Sequence, residues 1–391
     1  MAIEKVRNWQ LGRDMDYPYE EARPKKQYAA VFNINKCIAC QTCTMACKST
    51  WTYSKGQEHM WWNNVETKPY GGYPQFWDHK LLEKLGPNKW SPGTGHYGSV
   101  YSGKTIFEAA PLTEVGVGYL PEDKEWQSPN IYEDTPTSTN PEKGPDNSVD
   151  LETTGGGGRG GAHTTWFFYL QRICNHCTHP ACLAACPRKA IYKRQDSDGI
   201  VLIDQKRCRG YRKCVELCPY KKPMYNLATR ISEKCIACYP RVEQGIEARC
   251  MAACVGKIRL QGLKNSLPEE AEQNAENPMN YLIHVRKIAV PLYPQYGTEP
   301  NIYYIPPRWI HKKFLYQMFG PGIDEALKVY ENMDEELLGV LSLFRSTRKI
   351  IERFNINSNQ AIGYDAKDHE LIRVPIDEPV IVRPPRYHNT S

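Results

Sequence analysis

Beyond Pro321 the apolar residues Ile323, Leu327, Tyr330, Leu337, Leu341 and Phe344 recur at helical spacing, which predicts one or two amphipathic helices. The run YLIHVRKIAVPLY is apolar but short and charged, well under the ~18 residues that cross a bilayer. Between Cys47 and Cys174 the pattern breaks down into proline, glycine and aromatics, which predicts loops and short strands on a core fixed elsewhere. The run GGGGRGG, Gly155 to Gly161, lacks the Lys-Ser/Thr of a phosphate loop and reads as a flexible connector. The ending IDEPVIVRPPRYHNTS is extended and proline-rich, suited to lying across another subunit.

A length of 391 residues allows two or three lobes, or one domain with large insertions. Hydrophobic content of 41% and a mean hydropathy of -0.61 fit a soluble protein. A net charge of +6 does not by itself imply nucleic acid. The N-terminus has neither an apolar signal core nor a twin-arginine pair, so the chain is expected to stay in the cytoplasm or to be exported bound to a signal-bearing partner. The fifteen cysteines change the picture most. An odd count without a signal peptide argues against a disulfide scaffold.

Every cysteine belongs to one of four groups. The first is Cys37, Cys40, Cys43 and Cys47; the second Cys174, Cys177, Cys182 and Cys186; the third Cys208, Cys214 and Cys218; the fourth Cys235, Cys238, Cys250 and Cys254. Three close cysteines in an irregular loop direct thiolates at three irons of one cubane, while a fourth, further along a short helix, ligates a neighbouring cluster. Such groups come in pairs that exchange their last cysteine. The second and third groups are close in sequence and form the natural first pair, leaving the first to meet the fourth; the pairing of first with second and third with fourth stays open on spacing alone. Zinc is the competing reading. The fourth group could pass for a zinc site, but the first two do not have zinc spacing.

In the third group Tyr211 stands where a bacterial cluster motif carries a cysteine. Cys186, Cys208 and Cys214 then supply three thiolates, which points to a 3Fe-4S cluster that is easier to reduce than its neighbours. The alternatives are a 4Fe-4S cluster with a solvent-derived ligand, or a phenol ligand. Lys206, Arg207, Arg209, Arg212, Lys213, Lys221 and Lys222 crowd this segment and are read mostly as a solvated basic face, with one or two free to serve a partner. His176 and His179 lie inside the second group, where orienting the loop is the expected role, and His163 has no identifiable partner. Eight of nine tryptophans fall in the first 166 residues, Trp61 and Trp62 among them, and are expected to anchor a subunit interface. No nucleophile and base stand together, so the chain is expected to move electrons without a catalytic residue of its own. A metal-cluster protein that binds nucleic acid through its basic segment is the alternative from another class.

The four groups, with WWNNVETKP, DGIVLIDQKRCRGYRKCVELCPYKKPMY and EKCIACYPRVE, resemble the iron-sulfur β subunits of nitrate reductase and nitrite oxidoreductase. Tyr211 and CMAACVGKIRLQGL are similar to the exported branch, which includes selenate, chlorate and perchlorate reductases and ethylbenzene dehydrogenase. The resemblance spans roughly residues 28–310. It implies three 4Fe-4S clusters and one 3Fe-4S cluster: the first on Cys37, Cys40, Cys43 and Cys254, the second on Cys47, Cys235, Cys238 and Cys250, the third on Cys174, Cys177, Cys182 and Cys218, and the 3Fe-4S cluster on Cys186, Cys208 and Cys214. It also implies a molybdenum-bearing catalytic α subunit, a haem-b γ subunit or cytochrome acceptor, and a compartment outside the cytoplasm reached with the α subunit, or else the cytoplasmic face of the membrane. Nitrite oxidation is the expected reaction of the partner; a selenate, chlorate or perchlorate reductase is the alternative.

The expected fold class is α+β: two bacterial ferredoxin-like two-cluster modules with long loop-rich insertions and a mostly helical C-terminal extension. Residues 1–48 and 230–310 would form one module, 49–165 an insertion and partner interface, 166–229 the module with the 3Fe-4S cluster, and 311–391 C-terminal helices and an extended tail.

Overall fold

Seven of the eight residues in KQYAAVFN are buried, the pattern of a strand covered on both faces. In the computed structural model, which describes residues 4–19, 21–69, 71–127, 167–357 and 359–376, this run is the strand Lys26–Asn33 of a four-stranded mixed sheet. It pairs antiparallel with Arg259–Asn265 and parallel with Ile302–Ile305, whose other neighbour is Val290–Pro291. Phe32 faces Arg259 on one side and Tyr304 on the other. The pairing decides where the cysteines meet. Lys26–Asn33 leads into Cys37, and Arg259–Asn265 follows Cys254, so the first and fourth groups are drawn together across the chain. The helices Thr42–Trp51 and Arg249–Ala252 pack on each other beside this sheet.

A smaller version of the same arrangement joins the second and third groups. After Cys186 the strand Ile191–Lys193 turns back on Val201–Ile203, which leads into Cys208, and the helices Ala181–Ala184 and Lys213–Leu217 pack together.

The long insertion is more built than its composition predicts. Its described ends are stitched together by Asn64–Lys68 pairing antiparallel with Phe168–Arg172, and it carries the helix Trp77–Leu85, which the sequence reading did not anticipate. Trp77 is fully buried beneath the Arg172 guanidinium, 3.8 Å from the ring. Around it Lys68 pairs with Asp78 at 2.7 Å, Arg172 with Glu66 at 2.7 Å, and Trp77 Nε1 donates to Glu66 at 2.8 Å. Trp9 and Trp62 are also buried, and Trp51, Trp61, Trp90 and Trp126 are half-buried against this chain's own cores. Trp77 therefore serves internal packing, its ring and its indole N–H both met by residues of this chain. Trp166, His163 and Gly155 to Gly161 lie outside the described residues.

The C-terminal region departs from the mostly helical expectation. Helices Lys312–Phe319, Ile323–Glu331 and Glu335–Ser342 are present, with Ile323, Tyr330, Leu337 and Leu341 buried and Asp334 capping the last through its bond from the Leu337 N–H at 2.9 Å. Arg353–Asn357, Gln360–Tyr364 and Glu370–Pro375 then form a three-stranded antiparallel sheet. Phe354 with Ile356, and Ile372 with Val374, alternate with polar neighbours at period two, but over runs too short to stand out beside the helical pattern. Of the expected extended tail, all but Ile376 lies outside the described residues.

Candidate functional site: four sets of thiols in a row

The cysteine loops share a backbone device. Ala39 and Gln41, His176, Arg212, and Ala237 and Cys238 all take left-handed φ values, between 42° and 59°. Non-glycine residues adopt this conformation at a cost, and it recurs at functional sites, where the chain must bend sharply around something.

The thiols are drawn into four sets. Cys37, Cys40 and Cys43 line a pocket with Cys254; Cys174, Cys177 and Cys182 line one with Cys218; Cys186, Cys208 and Cys214 line one with Tyr211. The three pockets are alike in size, so they suit occupants of one size. In the remaining set, burial pushes the Cys47 thiol up and Cys235 and Cys238 add to it; Cys250 is likewise raised by burial, against Arg259, with Cys238, Cys47 and Cys235 close by.

Within each half the two sets are linked by cysteines four residues apart. Cys43 and Cys47 both lie in the helix Thr42–Trp51, while Cys182, Cys214 and Cys250 lie in short helices that end just before Cys186, Cys218 and Cys254. Each link places one cysteine in one set and its partner in the next. The two halves meet where Cys235 is pushed up to about 12, by burial first and then by Cys174 of the other half. The order is therefore continuous: Cys37, Cys40, Cys43, Cys254; then Cys47, Cys235, Cys238, Cys250; then Cys174, Cys177, Cys182, Cys218; then Cys186, Cys208, Cys214.

The donor set suits iron-sulfur clusters. All fifteen cysteines are thiols, not disulfides, and Cys40 is the exposed one. Among the described residues no three His, Cys, Asp or Glu side chains converge at the spacing of a single metal ion; the sulfurs ring wider pockets. Burial holds Cys37 and Cys214 at about 11, so a bound cation is needed to make them thiolates. Donors already point at the sulfurs: Arg259 Nη2 to Cys43 at 3.0 Å, Trp51 Nε1 to Cys238 at 3.1 Å, the Ala190 N–H to Cys186 at 3.3 Å and the Ser232 N–H to Cys208 at 3.4 Å. Such bonds are the protein's means of setting a cluster's potential.

Buried cations stand among the inner sets. Burial lowers the pKa of Lys234, and Cys174, Cys182 and Cys235 more than reverse the effect. Lys222 lines the same pocket, donates to Asn64 Oδ1 at 2.7 Å and is pulled down to about 7 by burial. Lys221 is buried too, its ammonium bonded to the carbonyls of Tyr119 at 2.6 Å and Val215 at 3.2 Å. Lys221 and Lys222 therefore leave the solvated face on which the sequence reading put them. Their carbonyl and amide acceptors come from residues up to 158 positions away, which spacing could not reveal. His176 is buried beside the third set, its Nδ1 accepting from the Val201 N–H at 3.1 Å, and burial keeps it neutral. Arg259, Trp51 and Lys234 were missed by sequence reasoning because each reaches its thiol from another part of the chain.

This arrangement defines a ferredoxin-type iron-sulfur protein of the α+β class. The family model for the 4Fe-4S dicluster domain matches residues 165–264. Among curated proteins, the chain is 40% identical to the selenate reductase β subunit of Thauera selenatis over 78% of this chain and 89% of that one. It is 41% identical to the chlorate reductase β subunit of Ideonella dechloratans, with the same coverage, and 40% identical to the respiratory nitrate reductase β subunit of Haloferax mediterranei over 80% of this chain and 87% of that one. The chain belongs to the family of iron-sulfur β subunits of molybdenum oxidoreductases, the electron-transfer subunits of enzyme complexes that pair with a catalytic α subunit. Among the described residues no helix is long and apolar enough to cross a membrane.

Proposed function

We propose that this chain carries single electrons through three 4Fe-4S clusters and one 3Fe-4S cluster held by the four thiol sets in the order given above, in two ferredoxin-like modules. The carrying observation is that the four sets take up all fifteen cysteines: each set draws on two of the sequence groups, and within each half the two sets share a pair of cysteines four residues apart. Bound clusters supply one-electron exchange; the protein's part is to hold the sulfurs, bury them and set their potentials by charge and hydrogen bonds. Tyr211 replaces the thiol that a fourth iron would need in the last set, so that set takes three irons.

The catalytic partner in this reading interconverts nitrite and nitrate, with the electrons of nitrite oxidation leaving one at a time towards a haem-b subunit or cytochrome. A selenate or chlorate couple is the second reading, favoured by the 40% and 41% identities to those reductase subunits. Export from the cytoplasm together with the α subunit completes the proposal, on the strength of Tyr211 and the CMAACVGKIRLQGL motif. Iron and sulfide analysis of the native complex with electron paramagnetic resonance of the oxidised sample tests the clusters: zinc without sulfide would end the reading. Assays with nitrite, nitrate, selenate and chlorate identify the couple, and cell fractionation tests the compartment.

A further inference from the structure

Within each half, cysteines four residues apart join neighbouring sets, but no such pair joins the second set to the third. The crossing falls instead to residues 232–235. The Ser232 N–H donates to Cys208 of the last set at 3.4 Å, Lys234 lines the pocket of Cys174, Cys182 and Cys218, and Cys235 belongs to the second set. One short stretch therefore touches three of the four sets. Lys234 is its buried cation, 3% exposed. The ammonium donates to the Val201 carbonyl and to the Cys235 carbonyl at 2.8 Å, and it reaches the Cys174 thiol. Val201 in turn donates its N–H to His176 Nδ1 at 3.1 Å, inside the loop that carries Cys174 and Cys177. The described acceptors of Lys234 are thus carbonyls and a thiol, none of them a carboxylate. Thiols of both halves hold the charge in place: burial opposes it, and Cys174, Cys182 and Cys235 outweigh burial. Lys222 lines the same pocket, but it is bonded to Asn64 and shares its surroundings with Arg172 and Glu66.

A fixed positive charge favours the reduced, more negative state of a cluster close to it. In a low-dielectric interior that effect reaches neighbours on both sides with little screening by salt. We infer that Lys234 is a positioning residue for two clusters at once: its charge raises the potentials of the second and third together, at the step where electrons pass between the halves. The inference rests on the cluster reading above, and it adds the residue that governs this step. One electron passes between the two inner clusters; no bond forms, and Lys234 keeps its proton.

The test is a potentiometric titration of the complete complex, followed by paramagnetic resonance, in two variants. Lys234→Gln keeps a donor without the charge, and Lys234→Arg keeps both. Lys234→Gln is expected to move two of the three four-iron components about tenfold toward the oxidised form at a given potential, equivalent to ~59 mV for a one-electron couple. The third four-iron component and the three-iron signal should stay in place, and Lys234→Arg should hold all four near their original values. A shift in one component, in all four or in none, in a complex with full iron and sulfide content, would overturn the shared charge and leave the cluster reading standing. A native complex without iron and sulfide would overturn both. If Lys234→Gln assembles without the second and third clusters, Lys234→Arg decides: clusters regained in that variant support the inference, and clusters missing there too would assign the residue to packing and overturn it.

Discussion

Arg259 Nη2 donates to Cys43 Sγ at 3.0 Å, joining residues 216 positions apart in the chain. The guanidinium is buried, held by Asn63 Oδ1 at 3.2 Å and by the face of Phe32 at 4.6 Å. Burial works against its charge, yet Cys43, Cys250, Cys254 and Cys37 hold it above its ordinary range. Cys250 belongs to the second set and the others to the first, so one cation stands between two neighbouring sites. Arg259→Gln is expected to lower the midpoint potential of the first cluster by roughly 65–130 mV, the equivalent of a charged hydrogen bond of ~1.5–3 kcal/mol at ~59 mV per tenfold. Arg259→Lys should restore part of it. A potentiometric titration followed by paramagnetic resonance reads the shift; an unchanged potential would show that Arg259 acts only in packing.

Tyr211→Cys should supply the thiol that the last set lacks. The expected result is one more iron per chain, loss of the oxidised three-iron signal and a lower potential for that centre. Persistence of the signal at full strength would count against the assignment of Cys186, Cys208 and Cys214 to a three-iron site.

The ion network beneath the insertion should behave as a buried pair. Glu66 and Arg172, both buried, meet at 2.7 Å over Trp77. Removing one partner leaves the other charged and unpaired, so Glu66→Leu is expected to cost ~3–5 kcal/mol, while Glu66→Leu with Arg172→Met should recover much of the loss. Thermal unfolding and proteolysis within the insertion measure both variants.

Glu247 gives a pH prediction. Burial raises its carboxyl to about 8, only partly opposed by Lys257, Arg241 and Arg348. The folded chain thus holds a proton that the unfolded chain releases near pH ~4.3. Stability from this group is fully present below that pH and is lost as pH rises through about 8. Glu247→Gln should therefore leave the melting temperature unchanged near pH 4 and raise it at pH 8, by up to ~5 kcal/mol of stability. A melting temperature that responds equally at both pH values would remove this explanation.

How much was legible follows from the range over which each signal acts. The cysteine groups announce themselves because a cluster loop takes its ligands from neighbouring residues, and the helices after Pro321 because four residues span one turn. Trp77, Lys222 and the sheet over residues 353–375 were hidden for the converse reason: their partners are distant, or their strands too short for period two to register.

The sequence by itself determined the chemistry of this protein. Fifteen thiols in four groups, with Tyr211 in place of a sixteenth, are local facts of spacing, and they bring an iron-sulfur electron carrier into view before any fold is known. Only the tertiary structure decided the order of the sets, since that depends on Lys26–Asn33 pairing with Arg259–Asn265 and on Cys235 lying beside Cys174. It also decided which cations tune and which face outward. Lys222 and Arg209 look alike in a list of residues; the fold buries the first in the pocket of Cys174, Cys182 and Cys218 and leaves the second exposed to solvent.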